Sequence, residues 1–414
     1  MGTKVMIPLR EAQAHVFERI APLRAMAVPL DECLGLATSQ SVHSEERIPP
    51  FDNTAVDGFA VRFAQVASAG TDTPVVLPVA GTVAAGDPPR ELPPGAALRI
   101  MTGAVIPSGA DAVVMVEDTE EAEGGVKVLR SVRNGENIRV AGSDIAAGSL
   151  LFPGHTVLGA AHLGVLASAG FVRVPVHRRA RVGVISTGSE LVDEARALKP
   201  GEIRDSNRHS LRAILSSAAV DVVDLGVVPD DEGALRSAFL GATAAVDAIV
   251  TSGGVSVGDF DYTKKVLREI SRGEMRWMQV AIRPAKPFAF GLVNGVPVFG
   301  LPGNPVSALV SFELFVRPSI RKMHGHADLF DPTLSVRAAN SYRRHVDGRV
   351  HYARALLSAA ADGSLSVRSL EGQSSHMLHE MARSNALVVC PDGDGYAEGD
   401  VVEVLPLGPI APSR

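Results

Sequence analysis

The chain has 414 residues, more than one hydrophobic core usually serves, so we expect about two to four domains. Hydrophobic residues make up 46% of the chain and charged residues 21%, a globular composition that excludes a largely disordered protein. Forty Lys and Arg residues against 46 Asp and Glu give a net charge of −6, spread without a long run of one sign. Neither nucleic acid nor an anionic membrane is therefore expected as a partner.

The cysteines and the apolar segments indicate the compartment. Cys33 and Cys390 form no CxxC pair, which excludes a disulfide scaffold and a zinc ribbon and fits a reducing compartment. The residues after Met1 lack the apolar core of a signal peptide. The most apolar stretch, Val157 to Val172, is short and contains His162, so it predicts a packed helix rather than a membrane span. We expect a soluble, cytoplasmic protein.

The first part of the chain predicts two interleaved modules. Residues 1–44 predict a helix from Pro8 to Ile20, a short strand and a second helix. Residues 45–144 are dense in Gly, Pro, Val and Thr with short alternating runs, which indicates a β-rich module. Residues 145–178 return to helical, Ala-rich sequence. We therefore expect a helical linker domain, formed by 1–44 with 145–178, into which the β-rich domain 45–144 is inserted.

We expect a multidomain protein of the α/β and β class. Its residues 179–328 predict an α/β domain, because short apolar runs alternate with amphipathic helical stretches. This alternation is typical of a doubly wound, mostly parallel sheet. The predicted strands are Ala180–Thr187, Val220–Val228, Val246–Val250, Lys286–Val293 and Val296–Phe299. The first predicted helix begins after its N-cap Asp205, and the second includes Leu235 to Leu240. Two further helices are predicted at Tyr262–Ile270 and Ala308–Met323.

Residues 329–414 predict a small, separate β-barrel or sandwich, because five apolar runs are separated by turn residues. The runs are Leu334–Ala338, His351–Leu357, Leu365–Leu370, Ala386–Cys390 and Asp400–Leu405.

Polar or Gly-rich residues follow four strands of the α/β domain. They are Thr187–Glu190, Pro229–Asp231, Thr251–Gly254 and Pro302–Pro305. Ligands of doubly wound sheets bind beyond the carboxyl ends of the strands, so four such ends on one edge predict a binding site. Thr187 is a candidate substrate-binding position there, with no role assigned.

The glycine-rich loop after the third strand suits a phosphate. The spacing of Gly253 and Gly258 resembles a phosphate loop, in which small residues let backbone N–H groups approach an anion. The Lys-Ser/Thr pair of a Walker site is absent and Asp259 stands there instead, which excludes an ATP-hydrolysing Walker site. A cradle beside a carboxylate suits a phosphate with its Mg²⁺, and the alternative is a tight strand-to-helix turn.

Acidic residues lie at or after the same strand ends: Glu190, Asp205, Asp230 and Asp259. Single acidic residues in loops usually cap helices or face solvent, but four at one sheet edge favour a Mg²⁺ site. The histidines show no metal-ligand spacing, so no zinc site is expected.

A second group of residues could receive an oxyanion. Asn304 is a predicted N-cap and Pro305 a first helical residue, and capping alone explains both. The N-terminus of this helix also offers N–H groups and the Ser307 hydroxyl to an anion. Arg283 and Lys286 lie in a proline-bracketed segment nearby, with solvated surface charges as the alternative interpretation.

Taken together, the motifs resemble those of the molybdopterin molybdenumtransferase family, the MoeA proteins, which are related to the E domain of gephyrin. The resemblance covers about residues 5 to 407, and its motifs occur in the family's order: Pro50–Ala60, Met101–Ala104, Ser186–Leu191, Ser252–Asp259 and Leu301–Ser307. It implies a helical linker domain, an inserted β-rich domain, a molybdopterin-binding α/β domain and a C-terminal β-barrel. It also implies a homodimer whose active sites are shared between subunits.

The resemblance further implies a reaction in which molybdenum from molybdate joins adenylylated molybdopterin and AMP is released with the help of Mg²⁺. By position, the implied catalytic residues are Asp57, Thr102 and Asp144 in the inserted domain, and Glu190, Asp230 and Asp259 in the α/β domain. Pro302 and Pro305 occupy the matching turn, and molybdate is placed at Arg283, Lys286 and Ser307. Two residues depart from the family pattern: Ala285 replaces a Gly, and Ser143 replaces an acid.

Two alternatives remain open from the sequence. The α/β domain alone would suggest a molybdopterin adenylyltransferase, against which the inserted and barrel modules argue. A gephyrin-like scaffold is the weaker alternative, because the sequence shows no long linker to a second enzyme domain.

Overall fold

The computed structural model describes residues 6–254 and 262–412, and the chain divides into two compact units. The larger unit comprises Met1–Ser39, His155–Gly159 and Val174–Arg414. The smaller unit comprises Gln40–Gly154 and Ala160–Arg173. Among the described residues, no helix has the length and apolar character needed to cross a membrane.

The smaller unit is built around a six-stranded sheet, as its short alternating runs predict. In spatial order its strands are Ala112–Met115, Gly58–Val61, Ala97–Ile100, Val75–Val83, Gly125–Val128 and Thr119–Ala122. The strand Gly58–Val61 is buried along its whole length because it pairs on both sides, and its Phe59 and Val61 lie in the core. Short two-stranded pairings join Asn53–Thr54 to Ile138–Arg139 and Val42–His43 to Leu150–Phe152.

The larger unit contains the doubly wound α/β domain. Its strands, in spatial order, are Asp221–Val228, Arg181–Thr187, Ala248–Ser252, Val296–Leu301, Pro287–Val293 and Arg276–Gln279. The first four strands pair in parallel, and the last two join antiparallel. The predicted parallel sheet is thus confirmed, with an antiparallel hairpin at one edge.

Helices cover both faces of this sheet, which is why its central strands, Arg181–Thr187, Ala248–Ser252 and Val296–Leu301, are buried along almost their whole length. Leu211 of helix Ser206–Ser216 and Val306 of helix Pro305–Ser311 share one core with Val184. Helices Glu232–Thr243 and Tyr262–Ile270 contribute Phe239 and Leu267 to the core on the other face. The predicted helix after Pro305 continues through a π-helical turn, Phe312–Val316, into Arg317–Met323.

The C-terminal residues close into a five-stranded barrel, which confirms the predicted β domain. Around the barrel the strands are Val350–Ala359, Leu365–Ser369, Leu334–Ala338, Val401–Pro406 and Ala386–Cys390, and the last pairs again with the first. Two short strands, Ile282–Arg283 and Ala411–Pro412, also pair with Val350–Ala359. A short helix, Leu378–Arg383, precedes the fifth strand, and Tyr342–Arg343 pairs with Gly395–Tyr396.

The N-terminal helix is confirmed as Leu9–Phe17, with Ala12 and Val16 in the core. The predicted second helix before residue 44 is wrong. After the strand Ala25–Pro29, which pairs with Arg173–His177, the chain makes only a 3-10 turn at Leu30–Glu32. Gly35 then adopts a φ of +79°, which ends any helical path at that point.

The predicted Ala-rich helix within 145–178 is shorter than expected. It covers Ala160–Ser168, and only Leu166 within it is buried. Val157 and Val172, at the ends of the predicted helix, are 42% and 80% exposed and lie outside it. The apolar stretch therefore forms a helix that is open on most of its surface within one chain, rather than a packed one.

Candidate active site

The loops that carry Glu190 and Asp230 meet at the carboxyl edge of the parallel strands. The Ser189 backbone N–H donates to Asp230 Oδ2 at 3.1 Å, and the Asp230 N–H donates to Ser189 Oγ at 3.0 Å. Glu190 and Asp230 are both exposed. Two of the predicted catalytic carboxylates thus lie on adjacent, mutually bonded loops. Thr187 is 5% exposed, with its Oγ1 3.5 Å from the Ser252 carbonyl oxygen, so it faces the sheet.

The next strand ends in two glycines whose conformation and close neighbours leave no room for a side chain. Gly253 and Gly254 have φ values of +94° and +65°, which disfavour a side chain. A Cβ on Gly253 would lie 2.6 Å from the Thr187 carbonyl oxygen, and one on Gly254 would lie 2.3 Å from Thr263 Cβ. The first part of the predicted glycine cradle therefore packs tightly against its neighbours. The predicted Gly258 and Asp259 lie outside the described residues.

Asp205 has a different role from the metal-binding one that its position predicts. It is 4% exposed and caps helix Ser206–Ser216 by accepting from the Arg208 backbone N–H at 3.1 Å. Arg208 Nε and Ser186 Oγ also donate to this carboxylate, each at 3.0 Å. Both oxygens are thus occupied by protein groups, and we assign Asp205 to the stability of the loop and helix.

Asn207 joins two of the strand-end loops and was not singled out by the sequence. Its Nδ2 donates to Ser252 Oγ at 2.6 Å and to the Gly303 carbonyl oxygen at 2.7 Å. Ser252 directly precedes the glycines, and Gly303 lies in the Pro-Gly-Asn-Pro turn. One amide therefore fixes the distance between the glycine cradle and the helix that begins at Pro305. In the sequence, only its position two residues after the N-cap Asp205 could have drawn attention to this asparagine.

The residues predicted to hold an oxyanion line one cavity of about 390 Å³. Arg283, Lys286 and Ser307 all contribute to its wall, and no carboxylate is among the described lining residues. Ser307 is 4% exposed and presents its hydroxyl from the first turn of its helix. Asn304 occupies the predicted N-cap position but makes no side-chain cap bond, and it lines the cavity. Such a wall of cations and hydroxyls suits a small dianion.

The Arg283–Lys286 segment is fixed by its backbone. The Arg283–Pro284 peptide is cis, and Ala285 has a φ of +75°, a left-handed conformation that glycine would adopt more readily. Ala285 is one of the two residues that the sequence resemblance implies to depart from the family pattern. The departure therefore adds strain to this turn, while the residue stays buried at 3% exposure.

The opposite wall of the cavity comes from the barrel and was missed by the sequence analysis. It consists of Arg349 and the segment Gln373–His376. The fully buried Arg354 supports this segment from behind, donating from Nε to the Gly372 carbonyl oxygen at 3.1 Å and from Nη2 to that of Ser374 at 3.2 Å. Arg354 Nη1 is buried without a hydrogen-bond partner among the described residues. Burial lowers the pKa of Arg354, although an arginine stays charged at neutral pH.

In the smaller unit, the structure brings Asp57 and Thr102 together. Asp57 Oδ1 accepts hydrogen bonds from the Thr102 hydroxyl and from the Thr102 backbone N–H, both at 2.7 Å. These two bonds, the hydroxyl first, lower the pKa of Asp57. Asp57 is exposed, so this ionised carboxylate faces solvent on one side of the sheet.

Asp144 lies in the same unit, on the loop after Ile138–Arg139. Its backbone N–H donates to the Ile48 carbonyl oxygen at 3.0 Å, and its side chain is exposed. The structure shows no bond between Asp144 and the Asp57–Thr102 pair. In residues 6–254 and 262–412, no three His, Cys, Asp or Glu side chains come close enough to hold a metal ion.

Comparison with protein families matches nearly the whole chain. Residues 7–170 match the MoeA N-terminal region (domain I and II), residues 183–322 a probable molybdopterin binding domain, and residues 336–407 the MoeA C-terminal region (domain IV).

Individual relatives give the same result. A molybdopterin molybdenumtransferase of Haemophilus influenzae is 36% identical over 405 residues, which are 97% of this chain and 98% of that protein. One from Nostoc is 38% identical over 380 residues, 90% of this chain and 86% of its own. The crystal structure of a molybdopterin biosynthesis MoeA protein from Pyrococcus horikoshii is similar with a TM-score of 0.79 at 28% identity, covering 97% of this chain and 99% of that one.

Proposed function

The chain belongs to the molybdopterin molybdenumtransferase family, the MoeA proteins, enzymes of molybdenum cofactor biosynthesis, and we propose that it uses adenylylated molybdopterin and molybdate as substrates. In this reaction the two dithiolene sulfurs of the pterin replace two oxygens of molybdate, which leave as water, and a water molecule cleaves the bond to the adenylyl group so that AMP leaves. We place molybdate in the cationic cavity and the adenylylated pterin at the loops that follow the parallel strands.

The cationic cavity carries the proposal for molybdate. A tetrahedral oxyanion of charge −2 needs fixed donors, and Arg283, Lys286 and the Ser307 hydroxyl converge on one wall without a lining carboxylate to repel it. The helix that begins at Pro305 directs the positive end of its dipole to the same side, although Pro305 has no N–H and the Val306 N–H already donates to the Ser375 carbonyl oxygen at 3.1 Å. Asn207 bonds both Ser252 and Gly303, which holds the glycine turn next to the cavity, and we place the adenylyl phosphate of the substrate there.

We propose that Glu190 and Asp230, together with Asp259, would hold Mg²⁺. The first two are exposed on adjacent loops, and their hard carboxylate oxygens are the ligands that Mg²⁺ prefers. The ion would supply positive charge to the phosphates of the adenylylated pterin. Asp57, kept ionised by Thr102, and Asp144 are the further catalytic residues that family membership supports.

We also propose that the enzyme is a homodimer with active sites shared between subunits. Helix Ala160–Ser168 contains no acidic or basic residue other than His162, and only Leu166 is buried within one chain. Leu150 and Val172 of the same unit are 54% and 80% exposed. Apolar surface of this kind is usually covered in the functional protein, and a second copy of the chain would cover it. The two free, buried cysteines support a reducing compartment such as the cytoplasm.

The test is AMP release from adenylylated molybdopterin. We expect release to require molybdate and Mg²⁺, and Arg283→Ala to raise the molybdate concentration needed. Arg343→Ala serves as the matched control, because Arg343 is an exposed arginine outside the cavity wall. ATP-dependent pyrophosphate release without molybdate would instead indicate an adenylyltransferase and contradict the proposal.

A further inference from the structure

Behind the cavity wall, a single carboxylate organises a group of charged barrel residues. Asp347 Oδ2 accepts from Arg349 Nε at 2.9 Å and also from Arg349 Nη2. The same oxygen lies 3.2 Å from His351 Nε2, and Oδ1 accepts from Arg344 Nη2 at 2.8 Å. Of these four residues, Arg349 alone lines the cavity.

The bonds from Asp347 fix the direction of the Arg349 guanidinium. They use Nε and Nη2, so the Nη1 side of the group is the side that a ligand in the cavity can reach. Among the described residues, Asp347 is the only carboxylate in a salt bridge with Arg349. An arginine side chain without such a partner samples many rotamers, and ordering it at the moment of binding would weaken the ligand's affinity.

Asp347 itself is held in place from both sides. The Asp347 backbone N–H donates to Asp392 Oδ1 at 3.1 Å, and Arg344 donates to both carboxylates. His351 is 2% exposed, and its other ring nitrogen lies 3.1 Å from the Tyr342 hydroxyl. Burial raises the pKa of Asp347, but the hydrogen bonds from Arg349 and His351 outweigh it and lower that pKa to about 2. The carboxylate therefore stays ionised across the physiological range.

We propose that Asp347 is a positioning residue for oxyanion binding: it holds Arg349 against the cavity, where Arg349 acts as a third cation beside Arg283 and Lys286. The inference rests on the proposed binding of molybdate in this cavity. Because Asp347 neutralises part of the charge of Arg349, its contribution is orientation rather than added positive potential. Replacing its carboxylate by an amide would turn an N–H donor towards the guanidinium and release it.

The experiment measures equilibrium binding of sodium molybdate by titration calorimetry, so that it does not depend on turnover. We expect Asp347→Asn and Arg349→Ala each to weaken binding by about tenfold, the range of one hydrogen bond to a charged group. The matched control is Asp362→Asn, an exposed carboxylate in a turn of the barrel whose hydrogen bonds go to Ser364, away from Asp347 and Arg349. It should bind molybdate as the wild type does.

The double variant separates positioning from general damage. If Asp347 acts through Arg349, Asp347→Asn adds no further loss in the Arg349→Ala background. In turnover, Asp347→Asn should raise the KM for molybdate while kcat at saturating molybdate stays near the wild-type value. If Asp347→Asn does not fold, the molybdate affinity of Arg349→Ala still tests whether Arg349 binds the anion, and wild-type affinity in that variant would contradict the inference.

Three results overturn the inference alone: wild-type affinity in Asp347→Asn, an equal loss in Asp362→Asn, or additive losses in the double variant. A wild-type chain that binds no molybdate overturns the molybdate assignment of the cavity, and this inference with it.

Discussion

His324 makes the larger unit sensitive to acid, and replacing it by glutamine should remove that part of the sensitivity. The ring is 1% exposed, and its Nε2 accepts a hydrogen bond from the Ala180 backbone N–H at 3.0 Å. Burial, followed by the positive charges of His326 and Arg179, lowers the pKa of His324 to about 4. The folded protein therefore keeps this imidazole neutral at pH values where the unfolded chain protonates it.

The magnitude follows from the two pKa values. Because the ordinary value is 6.5, the unfolded state binds more protons between about pH 6.5 and 4, and stability falls as the pH falls through that window. Each pH unit within it corresponds to about 1.4 kcal/mol. At pH 5 the free energy of unfolding is thus lowered by about 2 kcal/mol through this residue. Glutamine can accept the Ala180 N–H but does not titrate.

The assay is urea unfolding followed by tryptophan fluorescence. Trp277 is the single tryptophan of the chain and lies in the strand Arg276–Gln279 of the six-stranded sheet, so its emission reports on the α/β domain. His324→Gln should match the wild type at pH 8 and gain about 2 kcal/mol over it at pH 5. A difference between the two proteins that stays constant from pH 8 to pH 5 would refute this reasoning.

Two further predictions concern activity. Thr102→Val removes the first cause of the lowered pKa of Asp57, so the acid limb of the pH profile for AMP release should move to higher pH, while Thr102→Ser keeps the profile. An unmoved limb in Thr102→Val would contradict the role of that hydroxyl. Refolding a mixture of inactive Asp57→Asn and Asp230→Asn chains should restore roughly a quarter of the activity, because about half of randomly paired dimers contain one intact shared site. Heterodimers that form but stay inactive would argue against shared sites.

The α/β domain could be predicted from the sequence because its apolar runs, its helical periodicity and its helix caps all indicate the same elements. Its central strands are short apolar runs, and helix Tyr262–Ile270 has the bounds that its periodicity predicts. Asp205 caps its helix as expected. Parallel strands also place their ends at one edge, so the meeting of the Glu190 and Asp230 loops followed from topology alone.

The opposite wall of the oxyanion cavity could not be predicted in the same way. Arg349 and Gln373–His376 follow Lys286 by more than 60 residues and reach it only because the barrel closes and Arg283 pairs with His351. No local pattern encodes such a contact. The erroneous second helix before residue 44 has the opposite cause: a local apolar pattern was overridden by the turn at Gly35.

The pairing of Ile282–Arg283 with Val350 and His351 has a mechanical consequence. The backbone that carries one cation of the cavity is itself a strand of the barrel sheet, so the barrel cannot shift without carrying Arg283 along. The α/β domain and the barrel are thus joined by backbone hydrogen bonds next to the cavity in which we place the anion. A chimaera that exchanges the barrel at residue 329 would replace half of the cavity while keeping the other half, so exchange with a relative should transfer Ile282–Pro287 together with the barrel.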